Sequence, residues 1–212
     1  MTEPCKLDFD FLRTQVVGAD ATVNTPYGDR LMVYADYTAS GRCLGLVERY
    51  IQNLQRIYAN THTEDDISGR SMTHLLEQAE QAIKNSVNAG PDGRIVCVGS
   101  GATGAIDKFQ QIIGVALPPA TRQNLTSMLT GLLGEEADAR FAEYLNERQP
   151  VVFVGPYEHH SNEISWRQNL ATVVEVNLTV EGTIDLEHLE RLLQRPEYQD
   201  RMRIGSFSAA SN

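Results

Sequence analysis

The sequence predicts an α/β fold, a three-layer αβα arrangement around a mostly parallel sheet. Three observations lead there. Four short β-type runs, Ile95 to Val98, Val151 to Val154, Thr172 to Val176 and Arg203 to Phe207, recur along the second half of the chain. Helical periodicity separates or follows them at 102–116, 121–147, 160–169 and 185–194, which is the rhythm of βαβ crossovers, and right-handed crossovers place helices on both faces of the sheet. The stretch "RIVCVGSGATGAID", residues 94–107, runs from a β-type segment through three glycines into a helix. With 212 residues, 42% of them hydrophobic, the chain can build one sizeable core, as a single large domain or a domain with appendages.

In chain order, residues 1–30 form an N-terminal segment, and "YGDRLMVYADYTASG" reads as a short strand entering a turn. Residues 44–59 carry apolar groups at helical spacing. A second helix spans 71–88, with Leu75, Leu76, Ala79, Ala82, Ile83 and Val87 on its inner face. Residues 115–150 exceed what a crossover needs and read as a helical insertion, two surface helices joined near Gly134 and cut from the preceding helix by Pro118-Pro119. Leu125, Leu129, Leu132 and Leu133 of this segment are expected to face the core rather than a partner.

The net charge of −10 argues against nonspecific attraction to nucleic acid or an anionic membrane surface. Cys5, Cys43 and Cys97 are odd in number and widely separated, unlike a disulfide framework or a zinc site, so a reducing cytoplasm is expected. The N-terminus is too charged for a signal peptide, and no apolar run reaches the roughly 18 residues that span a bilayer.

Gly99, Gly101 and Gly104 spell the G-x-G-x-x-G of a dinucleotide turn. A strand that ends in glycines and turns into a helix offers unpaired N–H groups and the positive end of the helix dipole to an anion. The dinucleotide version needs a carboxylate about 20 residues further on, where this chain reads "VALPPATRQN". The mononucleotide P-loop needs a lysine before Ser or Thr, where this turn continues Ala105-Ile106-Asp107. Two explanations remain: a cup for one compact phosphate dianion, helped by the hydroxyls of Ser100 and Thr103, or a ligand-free packing turn.

The run "VVFVGP" leads directly into "YEHHSNEISW". Strand ends on one edge of a parallel sheet share a crevice, so Glu158, His159, His160 and Asn162 become candidates to face the ligand of the cup. Adjacent histidines on a helix diverge by about 100°, so His159 and His160 do not chelate one metal and no metal site is expected. A planar imidazole here suits stacking on a pyridine and proton transfer near neutral pH; an exposed pair at a helix start is the plain alternative.

Four blocks in order, "VYADYTASGR", "YANTHTEDDISGRSMT", "GSGATGAID" and "EHHSNEISW", resemble the class V aminotransferase family of fold-type I pyridoxal-phosphate enzymes, especially its cysteine desulfurase and selenocysteine lyase branch. The tail "VVEVNLTVEGTIDLEHLERLL" with "IGSFSAASN" is similar to the segment leading to that family's cofactor-contacting asparagine. The likeness spans 32–212 apart from 115–150, which makes 31–212 part of a pyridoxal 5'-phosphate-binding large domain.

By this resemblance Ala102 and Thr103 hold the cofactor phosphate, with Gly101 permitting close approach. His159 stacks on the pyridine ring, and Asn212 bonds the ring hydroxyl. His62 aligns with an active-site histidine of the desulfurase branch, or else structures its loop. Asp36 and Arg42 come near the substrate entrance, or Asp36 caps a turn. Glu64, Asp65 and Asp66 form a solvated loop. Gly104 departs from the family, where glutamate commonly follows the threonine.

The family's cofactor-pairing aspartate, Schiff-base lysine, mobile cysteine and substrate-binding arginine all match positions beyond Asn212. Lys6, Lys84 and Lys108 offer no substitute. The resemblance therefore implies the N-terminal part of an enzyme that breaks a C–S or C–Se bond in a cysteine-like amino acid, with a sulfur-acceptor protein and a homodimeric parent. The chain alone is expected to be inactive. The alternatives are amino-group transfer by the parent, a noncatalytic scaffold on the same fold, and an NAD(P)-binding oxidoreductase resting on the three glycines alone.

Overall fold

The computed structural model describes residues 7–209. The chain divides between Val96 and Cys97 into two compact units. The first carries helix α1 (Phe9–Gln15), the hairpin of β1 (Thr22–Thr25) and β2 (Gly28–Leu31), then α2 (Gly45–Gln55) and α3 (Ile67–Ser86). In the hairpin Thr22 pairs with Leu31 and Thr25 with Gly28. Gly28 sits at φ 86°, the left-handed region that glycine tolerates, and the Thr25 hydroxyl donates to its carbonyl at 2.6 Å. The Asp66 carboxylate caps α3 by accepting from Gly69 N–H at 2.8 Å. The sequence signalled β2 but not α1 or the partner strand β1.

The second unit begins with α4 (Gly101–Ile112), followed by a helical hairpin of α5 (Pro119–Leu133) and α6 (Glu135–Arg148) hinged at Gly134. Then come β3 (Val151–Val154), α7 (His160–Gln168), β4 (Thr172–Glu175), α8 (Leu186–Leu193), a 3₁₀ turn at Pro196–Tyr198 and β5 (Arg203–Ser206). The sheet has the order β4-β3-β5, all parallel, with Val151 opposite both Thr172 and Arg203.

Successive side chains of β3 point to opposite faces, and both faces are covered. Val151 and Phe153 pack with Val176, Leu192 and Tyr198 on the α8 side. Val152 and Val154 pack with Val115 and Trp166 on the side of α4 and α7. A central parallel strand buried on both faces reads as a continuous apolar run, and all four residues of β3 are buried. This unit is therefore the expected α/β fold in three layers.

Three expectations need correction. Ile95 to Val98 is not a strand: among the described residues it joins neither sheet, and the outer edges of β4 and β5 stay unpaired. The apolar stripe of α3 is covered only at its N-terminal end; Gly69 and Met72 are buried, while Ile83 and Val87 lie exposed. Leu125, Leu132 and Leu133 are also exposed, with Leu132 at 81%, and only Leu129 is half-buried. The reason is that α5 packs chiefly on α6, so a two-helix hairpin shields one strip of each helix and leaves the outer sides bare.

Candidate functional site

Helices α4 and α7 run side by side in the same direction. The Gln110 amide, fully buried, donates to Ser165 Oγ at 2.9 Å and accepts from Asn169 Nδ2 at 2.7 Å. Phe109 meets Trp166 edge-on at 6.2 Å, and Leu170 N–H donates to the Val115 carbonyl at 2.9 Å. These contacts align the C-terminal ends of the two helices. Gly101 precedes Gln110, and His160 precedes Asn169, by the same length of helix, about 13 Å at 1.5 Å per residue. Because α7 follows β3 directly, its N-terminus stands at the carboxyl edge of the sheet.

At the start of α4, Ser100 takes the N-cap position in the left-handed region, φ 71°, and its side chain makes no cap bond. Gly101 follows at φ 63°. The N–H groups of the first turn thus lack a capping acceptor. Residues Ser100 to Thr103 are exposed. Gly104 lies under the turn: a Cβ there would stand 2.3 Å from the Gly99 carbonyl oxygen. Any side chain at 104, the glutamate of the resembling family included, is incompatible with this turn. The apparent dinucleotide fingerprint is thus completed by a glycine that the packing of this turn requires.

At the start of α7, His159 is the N-cap, with its Nδ1 accepting from Ser161 N–H at 3.2 Å. The same nitrogen lies 2.8 Å from Ser161 Oγ. The ring is exposed and held at one nitrogen. The His160 ring lies 6.1 Å away, tilted by 46°. Among the described residues no three His, Cys, Asp or Glu side chains are grouped to hold a metal ion.

Glu158 and Asn162 do not face a ligand. Glu158 is buried, and its carboxylate accepts from Gly155 N–H (3.3 Å), Asn162 Nδ2 (2.9 Å), Ser208 Oγ (2.7 Å) and Ser208 N–H (2.9 and 3.0 Å). Burial pushes its pKa up, but the donors of Ser208, Asn162 and Gly155 outweigh that and hold it below the ordinary value. Asn162 Oδ1 accepts from Trp166 Nε1 at 3.2 Å and Ser206 Oγ at 2.6 Å. Sequence reasoning had both residues as ligand readers and missed Ser206, Ser208 and Trp166 as their partners. Asn162 and Trp166, four residues apart, share one face of α7, which could have shown that pair; Glu158 precedes the helix and gave no such signal.

The remaining candidates lie in the first unit or outside the described residues. His62 is exposed at φ 64°. Asp36 accepts from Ala39 N–H at 3.3 Å, as a turn cap does, and the Arg42 guanidinium lies 5.5 Å from the Tyr34 ring centre. Asn212, Cys5 and Lys6 lie outside the described residues. Lys84 donates to the Pro91 carbonyl and Lys108 to Gln111 Oε1, so each amine already has a partner.

No family model matches the chain. A stretch of 49 residues is 48% identical to a probable cysteine desulfurase of Chlamydia muridarum, covering 21% of this chain and 12% of that protein. Over that stretch the likeness agrees with a class V aminotransferase-like relationship.

Proposed function

We propose that this chain forms the phosphate-and-ring cradle of a pyridoxal 5'-phosphate enzyme of the cysteine desulfurase kind. The observation that carries it is the uncapped, glycine-lined N-terminus of α4, on a helix that packs against α7, whose own N-terminus bears an imidazole. The donor set fits the cofactor. The free N–H groups of Gly101, Ala102 and Thr103, with the Thr103 hydroxyl, suit a phosphate dianion, and the helix dipole adds to the attraction. No Cβ at 99 or 101 obstructs approach, since the space around both glycines is open.

When bound, the cofactor supplies an electron-withdrawing ring for the electron pair released at an amino acid's α-carbon. The residues of this chain hold and orient it. The turn at Gly101 to Thr103 holds the anionic tail. His159, fixed through Nδ1, presents a flat ring for stacking and leaves Nε2 at its free edge for proton transfer. By the resemblance, Asn212 bonds the ring hydroxyl. The substrate is a cysteine-like amino acid, its C–S or C–Se bond is the one broken, and a sulfur-acceptor protein and a second copy of the parent are the partners.

The partnered amines of Lys84 and Lys108 favour a second reading, a chain that holds the cofactor without turning it over. Titration with pyridoxal 5'-phosphate, followed by absorbance, tests the cradle. Binding is expected to be competed by inorganic phosphate and weakened in Thr103→Ala. Tight NAD binding with no response to pyridoxal phosphate would overturn it. Neither reading expects sulfide release from cysteine by this chain alone, and its appearance would overturn the second.

A further inference from the structure

We propose that Glu158 is the positioning residue of this cradle: its carboxylate ties the turn that carries His159 to the exit of β5, and so fixes where the imidazole stands. The role rests on the pyridoxal phosphate reading, whereas the tie itself rests on the hydrogen bonds. A buried carboxylate ordinarily pairs with a cation. Among the described residues Glu158 has no ion-pair partner; its partners are all neutral donors.

Those donors come from three separate segments. Gly155 belongs to the exit of β3, Asn162 to the first turn of α7 and Ser208 to the exit of β5. At Gly155 a Cβ would stand 3.1 Å from both Glu158 Oε1 and Ile184 Cδ1, so the strand exit fits closely around the carboxylate. Every group pointing at Glu158 is an N–H or O–H, which demands an acceptor-only side chain. An isosteric amide must turn its NH₂ toward at least one of these donors. Packing alone does not call for a charge here; the converging donors do.

The carboxylate acts on the imidazole through the adjacent backbone. Glu158 fixes the chain on the N-terminal side of His159. On the other side the His159 carbonyl accepts from Asn162 N–H at 2.8 Å, and its ring accepts from Ser161 N–H. Release of the first anchor frees the turn 155–159 and the segment 206–208 together, while the start of α4 keeps its own geometry.

The test is Glu158→Gln in the full chain, read by amide hydrogen exchange, by the His159 imidazole resonances and by titration with pyridoxal 5'-phosphate and with inorganic phosphate. The expected result is a loss of exchange protection of about tenfold at Gly155 and Ser208, with β3 unchanged. The His159 resonances move, and pyridoxal phosphate binding weakens by about tenfold while inorganic phosphate binding holds. Unchanged exchange and an unmoved imidazole overturn the inference, as does an equal loss for both ligands. A wild-type chain that binds phosphate but not pyridoxal phosphate sinks the proposed function instead, and the tie is then judged on exchange and the imidazole alone. If Glu158→Gln fails to fold, Ser208→Ala removes one donor and keeps the charge. It is expected to give a smaller loss in the same readouts, and no change in them overturns the tie.

Discussion

Replacing Gly104 with alanine puts the shape of the α4 turn to a direct test, because two effects of known size oppose each other. In an unobstructed helix, Gly→Ala stabilises by about 0.5–1 kcal/mol through chain entropy and helix propensity. At Gly104 the new Cβ would stand 2.3 Å from the Gly99 carbonyl oxygen, a backbone atom that cannot rotate away. Relief requires the turn to move by roughly 1 Å to restore ordinary contact, and overpacking of this kind costs about 1–3 kcal/mol. Strain wins, for a net loss of about 1–2 kcal/mol, or a melting temperature lower by about 4–8 °C in a unit of this size. Gly131 in α5 is the control, since nothing lies within 4 Å of its would-be Cβ. Thermal unfolding followed by circular dichroism should therefore move down for Gly104→Ala and up by a few degrees for Gly131→Ala. An upward shift for both would refute the close approach of Gly99 to the helix, and with it the shape of the cup.

His159→Ala is expected to lose about 1 kcal/mol of stability with the cap, whereas His159→Asn keeps a capping acceptor and most of the stability. Both should weaken pyridoxal phosphate binding, which titration of the two variants measures. Trp166→Ala empties a site that is 1% exposed and leaves Asn162 Oδ1 short of a donor, for a loss of about 3–5 kcal/mol by denaturant unfolding. Acid should weaken the fold through Glu158. Its native pKa lies below the ordinary 4.5, so its contribution is complete above pH 4.5 and fades as the pH falls through the native value. Stability against pH, measured for wild type and Glu158→Gln, should show a shallower acid limb in the variant. Leu132→Glu, on the outer side of α5, should change stability by less than about 0.5 kcal/mol, in contrast to a core leucine.

How far the sequence could be read depended on whether a residue's partners lie close along the chain or across the fold. Helix periodicity is local, so α2, α3, the hairpin at Gly134 and α7 were legible, as was β3, whose apolar run reports two covered faces. Ile95 to Val98 has the same local composition, yet pairing depends on a partner strand brought alongside by the rest of the fold, and composition carries no record of that. The leucines of α5 failed for a related reason. Periodicity shows that a helix has an apolar face but not what covers it, and α6 covers only the strip near Leu129.

The same distinction separates the two kinds of residue at the candidate site. The glycine turn and His159 act through their own backbone and nearest neighbours: Gly104 against Gly99, His159 Nδ1 against Ser161 N–H. Such features can be read from a short stretch. Glu158 and Asn162 look alike from the same stretch, polar groups after a strand, but their partners Ser206 and Ser208 stand 44 and 50 residues away. Only the parallel register of β5 against β3, with Ser206 beside Val154, brings the two strand exits together. A buried carboxylate without a cation tolerates little rearrangement, because each donor withdrawn leaves charge that water cannot reach. The donors that hold Glu158 thus tie the exits of β3 and β5 to the start of α7, and the proposed stacking at His159 depends on that tie.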